Sequence, residues 1–153
     1  MKKQFATPQQ PEIYIFFLDR NLGSKQLAEA LRKEGFVVRV HDEHFKPDEA
    51  DDVWLASCGQ RSWVAITPDR RILKDPLSMK AIGENRGRVF FLPQNNKNPQ
   101  MWAPIMIENW ARIKTVLSTR TPPFVAKLSP NGVWGIKELN RHGRERKKSK
   151  RKW

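Results

Sequence analysis

The fold is decided by the stretch Ile13-Tyr14-Ile15-Phe16-Phe17-Leu18-Asp19. Its consecutive apolar residues predict a β-strand over residues 12–18 that is buried on both faces, as strands of parallel sheets are. An acid follows this strand directly, so its carboxylate is expected at the carboxyl end of the strand. In open parallel sheets that edge is where ligands bind.

Helical and strand patterns alternate over residues 12–92. In the first helical stretch, the apolar positions Leu27, Ala28 and Leu31 recur at helical spacing, and Gly35 supplies a stop. The predicted order after the first strand is helix 22–34, strand 36–40, helix 47–61, strand 62–67, helix 76–85 and strand 88–92. This alternation predicts a parallel sheet with helices on both faces.

The C-terminal third adds a helix and a hairpin. Apolar spacing predicts one helix over residues 99–118, and two β-rich runs flank the turn Pro130-Asn131-Gly132. The fold class is therefore α/β, with three layers, a central mostly parallel sheet and a C-terminal β-hairpin. We expect a flexible leader over residues 1–11, one domain over 12–140 and a disordered basic tail over 141–153.

Charge and cysteine content indicate the compartment and the partner. The net charge is +13, and residues 141–153 carry eight Lys or Arg against Glu145, which is 8 − 1 = +7. Such a tail attracts phosphate backbones, although it could instead be a solubilising terminus or dock an acidic partner. A lone Cys58, with no signal peptide and no membrane span, predicts a reduced, cytoplasmic protein.

Acids are expected to converge at the carboxyl edge of the sheet. Asp19 follows the first predicted strand, Asp42 the second and Asp69 the third, while Asp51 opens a helix at the same edge. Clustered carboxylates repel one another, and oxygen ligands select hard cations such as Mg²⁺ or Mn²⁺. Each acid alone has an ordinary alternative as a helix cap or turn residue.

Three stretches resemble a known family. They are Phe16-Phe17-Leu18-Asp19-Arg20-Asn21-Leu22-Gly23, Asp51-Asp52-Val53-Trp54-Leu55 and Ser62-Trp63-Val64-Ala65-Ile66-Thr67-Pro68-Asp69. Together they resemble PIN-like domains over residues 12–92, and residues 122–127 resemble the late strand of the VapC-like subgroup. The resemblance implies a PIN-like fold and a metal-dependent endoribonuclease, often a toxin restrained by an antitoxin.

The resemblance also assigns residues. Asp19, Asp51 and Asp69 match the family's metal-binding catalytic acids, and Asp42 is the weaker match for a further one. Where an extra acid would follow Asp69, this chain has two arginines, which could hold the scissile phosphate or lie in a solvated turn. The RNA-binding residues that we predict are Arg20, Arg70, Arg71, Lys74, Arg146, Lys147 and Lys148.

Other readings remain open. A PIN-like domain could have kept its RNA affinity and lost catalysis, and small domains of this kind often form homodimers. A phosphoacceptor receiver domain needs paired acids after its first strand, but Arg20 follows Asp19. No G-x-G-x-x-G or P-loop motif supports a nucleotide-binding enzyme. Among the tryptophans, Trp63 and Trp102 are expected in the core and Trp153 as a candidate for base stacking.

Overall fold

The computed structural model describes residues 13–22, 25–93 and 99–147; the predicted leader and residues 148–153 lie outside these ranges. The strands are β1 Ile15–Leu18, β2 Val37–Val40, β3 Val64–Thr67, β4 Arg88–Phe91, β5 Phe124–Ser129 and β6 Gly132–Glu138. The α-helices are α1 Lys25–Lys33, α2 Asp51–Gln60, α3 Pro76–Glu84, α4 Pro99–Glu108 and α5 Trp110–Thr119. Short 3-10 helices cover Arg20–Leu22, His41–Glu43 and Arg70–Lys74.

The strands form one sheet of order β2-β1-β3-β4-β5-β6, in which only the β5–β6 pair is antiparallel. This confirms the predicted mostly parallel sheet with its C-terminal hairpin. Since β2 lies on one side of β1 and β3 on the other, the chain reverses direction across the sheet at β1. Ligand crevices of doubly wound sheets open at such a point.

Helices cover both faces of the sheet and enclose two apolar cores. On one face, Phe16 and Leu18 pack with residues of α1, α4 and α5; on the other, Phe17 packs with residues of α2 and α3. These three side chains are 0–1% exposed. Burying each contributes about 1.5–3 kcal/mol, which explains why an unbroken apolar run is needed in this central strand. Within the described ranges, no helix is both long and apolar enough to cross a membrane.

The predicted helix 99–118 is two helices that meet at Asn109. The Asn109 side chain is buried, and its Nδ2 donates to the carbonyls of Ile105 (2.9 Å) and Ser129 (2.8 Å). This amide therefore ties the junction between α4 and α5 to the end of β5. The apolar spacing continues through the junction, so the sequence pattern could not reveal the break.

The predicted boundary of the tail also differs from the structure. Leu139 forms an isolated β-bridge with Glu145, and the Arg146 backbone N–H donates to the Glu138 carbonyl at 2.7 Å. Gly143, at φ +84°, lies against the Met79 carbonyl of α3, where a Cβ would collide. The ordered domain thus extends to residue 147 at least. The basic composition of residues 141–147 gives no indication that the chain returns to pack on α3.

Candidate active site

A cleft of about 180 Å³ opens at the carboxyl edge of the sheet, where β1 and β3 lie side by side. Its position follows from the reversal of the chain at β1, because the loops after β1 and β3 separate there. The cleft is lined by Asp19, Arg20, His41, Pro47, Asp48, Glu49, Asp51, Trp54, Asp69 and Arg71. Three of the four predicted catalytic acids therefore meet in one place.

Asp19 is the most deeply held of these acids. It is 5% exposed, and the Thr67 hydroxyl at the end of β3 donates to its Oδ2 at 2.6 Å. Burial raises the pKa of Asp19 above its ordinary value, the Thr67 bond lowers it, and the nearby negative charge of Asp51 raises it again. A buried carboxylate beside a second acid is stabilised by a cation.

Asp69 is held by its own loop. Its backbone N–H donates to the Thr67 hydroxyl at 3.0 Å, so one side chain connects both acids. Its carboxylate accepts two bonds of 2.9 Å from the Arg71 guanidinium, at Oδ1 from Nε and at Oδ2 from Nη2. This fork holds the pKa of Asp69 below its ordinary value. Arg71 is 84% exposed, so its guanidinium lies between the acid and solvent.

Asp51 is the first residue of α2, where the helix dipole favours a negative charge. The indole Nε1 of Trp54, one turn later, donates to its Oδ1 at 3.0 Å. Trp54 is 1% exposed and stacks on Phe17 with ring centroids 5.5 Å apart. The apolar core beneath the sheet therefore orients this carboxylate.

Asp42 does not join the other three acids. Its side chain is 67% exposed and lies 3.2 Å from Nδ1 of the buried His41. It lines a neighbouring cleft of about 690 Å³, which shares Asp19, Arg20 and His41 with the first. The reason is topological, because β2 is on the far side of β1 from β3. Asp48 and Glu49 lie in the cleft instead and are better placed to supply a further acid.

Comparisons with known proteins agree with this fold. The family model described as "PIN like domain" matches residues 15–94. The chain belongs to the PIN-like domain family. It is also 25% identical over 122 residues to "Putative ribonuclease VapC45" of Mycobacterium tuberculosis (strain ATCC 25618 / H37Rv), which covers 76% of this chain and 87% of that protein. No solved structure gives a significant match.

The acids of this PIN-like domain suit a metal ion only in part. Within residues 13–22, 25–93 and 99–147, no three His, Cys, Asp or Glu side chains form a group that could hold one. Asp69 is occupied by Arg71, whereas Asp19 and Asp51 remain an electrostatically coupled pair. Mg²⁺ commonly binds one or two carboxylates and keeps several waters. Two acids at the cleft fit that requirement.

The predicted RNA-binding cations of the PIN-like domain lie in different places. Arg20 and Arg71 line the cleft, whereas the Arg70 guanidinium lies near the ring of Trp134. Lys74 ends the 3-10 helix after β3 and is exposed. In the C-terminal segment, Arg146 lies 4.0 Å from Glu138, Lys147 is exposed, and Lys148 lies outside the described residues. The predicted set is therefore not one continuous surface.

Sequence reasoning gave no role to Thr67 or Trp54. Thr67 is 0% exposed and connects Asp19 to the Asp69 backbone, while Trp54 orients Asp51. The Thr-x-Asp ending of the third strand was visible in the sequence and could have indicated the role of Thr67. The Asp51–Trp54 spacing was also visible, because residues three apart are neighbours on a helix.

Proposed function

We propose that this protein is a Mg²⁺- or Mn²⁺-dependent endoribonuclease and the toxin of a toxin–antitoxin pair. One observation carries the proposal: Thr67 joins the buried Asp19 to Asp69 at the sheet edge, with Asp51 in the same cleft. Membership of the PIN-like family and the similarity to a protein named as a ribonuclease support the same activity.

Asp19 and Asp51 would hold the ion, and Thr67 and Trp54 keep their carboxylates oriented. A divalent cation, when bound, supplies the Lewis acidity that activates water and neutralises charge at a phosphodiester. Asp48 or Glu49 could complete the ligand set directly or through water. The predicted three-acid site of Asp19, Asp51 and Asp69 would form only after Arg71 releases Asp69.

Arg71 would bind the scissile phosphate. A planar guanidinium that already forms two parallel bonds with a carboxylate can form the same pair with a phosphate. Its exposure leaves it free to exchange one partner for the other. Arg20, which also lines the cleft, would hold a neighbouring phosphate.

The proposed partners are RNA, a cognate antitoxin and a second copy of the chain. Similarity to VapC45 supports the antitoxin, because that protein's name places it among VapC proteins. Homodimerisation and a cytoplasmic location remain our expectations from sequence. An adjacent gene for a small DNA-binding protein would support the toxin–antitoxin pair.

Neighbouring acids of α2 allow a sharp test of the activity. We expect Asp51→Asn to lower cleavage of labelled single-stranded RNA by orders of magnitude in Mg²⁺ or Mn²⁺, because it removes one ligand of the proposed ion. Asp52→Asn is the matched control, since Asp52 does not line the cleft. EDTA should abolish cleavage by the wild type and by Asp52→Asn.

Equal cleavage by wild type and Asp51→Asn would point to a contaminating nuclease and refute the enzymatic proposal. A non-catalytic PIN-like RNA-binding module would then be favoured, and the lack of a three-acid metal group within the described residues already suits it. That second candidate predicts metal-independent RNA binding and no cleavage by any variant.

A further inference from the structure

Trp134 is an exposed aromatic side chain with two cations near its ring. It lies on the edge strand β6 and is 48% exposed. The Lys127 Nζ lies 4.7 Å from the centroid of its ring, and the Arg70 guanidinium carbon lies 5.8 Å from it. A single exposed apolar residue needs no explanation. An exposed indole with two cations at its ring offers both groups that a nucleotide requires, a stacking surface and phosphate ligands.

The sheet register places this ring on the same edge as the acids. Thr67 of β3 is paired with Phe91 of β4, Phe91 with Lys127 of β5, and Lys127 with Trp134 of β6. Three steps of ~4.8 Å put Trp134 roughly 14 Å from Thr67 along this row. Residues paired in register point to one face, and Phe91 packs in the core formed with α2 and α3. Trp134 therefore lies on the face of the sheet where Asp51 begins α2.

Arg70 connects this surface to the cleft. It follows Asp69 directly, so its backbone is part of the active-site loop while its side chain reaches the indole. Its Nε is buried and has no hydrogen-bond partner among the described residues. A buried donor without an acceptor is costly, and a ligand that supplies one recovers that loss.

We infer that Trp134, Arg70 and Lys127 form a nucleotide subsite for the RNA strand beside the cleavage site. The indole stacks on a base, and the two cations bind the adjoining phosphates. A single strand rises by ~3.4 Å per stacked nucleotide, so the base lies about four nucleotides from Thr67, or fewer if the strand is extended. This inference rests on the proposed RNA substrate, but not on the cleavage step.

A protein partner suits this surface less well. An aromatic anchor in a protein interface is normally desolvated among apolar neighbours. Desolvating the two cations here would be costly unless the partner supplied anions, which an RNA backbone supplies at every nucleotide. The register neighbours of Trp134 also favour RNA, since Lys127 faces it and Gly135 follows it without a side chain.

A stacking probe tests the inference directly. The probe is a short single-stranded RNA with 2-aminopurine at one position, and the position is moved along the strand. With EDTA present, so that no strand is cut, 2-aminopurine should be quenched at one or two adjacent positions by wild type. Trp134→Ala should abolish that quenching and weaken binding roughly five- to a hundredfold, the usual range for loss of one stacked base. Trp134→Phe should retain most of both.

The control and the contrary outcomes separate this inference from the proposed activity. Met101→Ala removes a side chain of similar exposure from α4, on the opposite face of the sheet, and should leave binding unchanged. Equal RNA affinity in wild type and Trp134→Ala overturns the proposed subsite, even if the wild type cleaves RNA. A protein partner would then be the favoured ligand of Trp134. Conversely, Trp134-dependent binding without any cleavage supports the subsite and refutes only the enzymatic proposal.

Discussion

Replacing Thr67 by Val tests whether one hydroxyl organises the cleft. The substitution keeps the size and branching of a side chain that is 0% exposed. It removes the donor that bonds Asp19 at 2.6 Å and the acceptor of the Asp69 N–H at 3.0 Å. Two buried polar groups thus lose a partner through the loss of one oxygen.

The expected loss follows from these two bonds. A hydrogen bond to a charged group contributes about 1.5–3 kcal/mol, and a buried N–H left unpaired costs about 1–3 kcal/mol. Because both depend on the same oxygen and its surroundings relax, we expect a combined loss of about 2–4 kcal/mol. In a domain of this size, about 3 kcal/mol lowers the melting temperature by roughly 6–12 °C.

The destabilisation should also depend on pH, with a sign set by Asp19. Burial raises the pKa of Asp19 and the Thr67 bond lowers it. A carboxyl with a higher pKa in the folded state than in the unfolded state loses stability as pH rises through that interval. Thr67→Val raises the folded-state pKa further. The free-energy difference between variant and wild type should therefore be larger at about pH 7 than at about pH 4.

Thermal unfolding followed by circular dichroism in EDTA measures both effects. Thr67→Ser is the matched control, because it keeps the hydroxyl and loses one methyl group, which costs about 1 kcal/mol. This role of the Thr67 hydroxyl is refuted if Thr67→Val has the melting temperature of the wild type, or if Thr67→Ser is destabilised as much as Thr67→Val. In the proposed ribonuclease, Thr67→Val should also cut RNA more slowly than Thr67→Ser.

Two further predictions concern the cations. Arg71→Ala should weaken RNA binding as well as cleavage. It should also increase the stabilisation of the fold by Mn²⁺, because Asp69 is no longer bound to the Arg71 guanidinium. Unchanged metal stabilisation in calorimetry would contradict this. Removing residues 148–153 deletes Lys148, Lys150, Arg151 and Lys152. The salt slope of RNA binding should fall by at most about 4 × 0.7 ≈ 3. Truncation after residue 140 should give a lower melting temperature than this shorter deletion, since Gly143 packs on α3. Equal melting temperatures for the two truncations would refute the packing role.

The sheet could be predicted from sequence because its signals are local. The apolar run before Asp19 has the length and composition of a doubly buried strand. The next three strands are separated by helix patterns, and the last two by a turn pattern. The ends of the helices could be predicted less well from the sequence. The break at Asn109 depends on a bond to Ser129 of β5, a partner that no spacing rule within α4 or α5 contains.

The site could be predicted only as far as strand ends determine it. Asp19, Asp51 and Asp69 share a cleft because parallel strands and the following helix bring their backbones together. Side-chain direction depends on contacts that strand ends do not determine. Asp42 turns to His41, and Arg70 turns to Trp134, which lies sixty-four residues further along the chain (134 − 70 = 64). Neither contact has a sequence pattern.

Charge is divided unequally between the cleft and the rest of the molecule. Five carboxylates and two arginines line the cleft, a formal sum of −5 + 2 = −3. The chain carries +13, so the remainder carries 13 + 3 = +16. A polyanion is therefore attracted by the outer surface and repelled locally by the acids until a cation offsets them. Under the proposed function, the acids of the cleft are needed for cleavage and do not contribute to RNA affinity. Asp51→Asn, which removes a repelling charge, should thus bind RNA at least as tightly as wild type while failing to cut it.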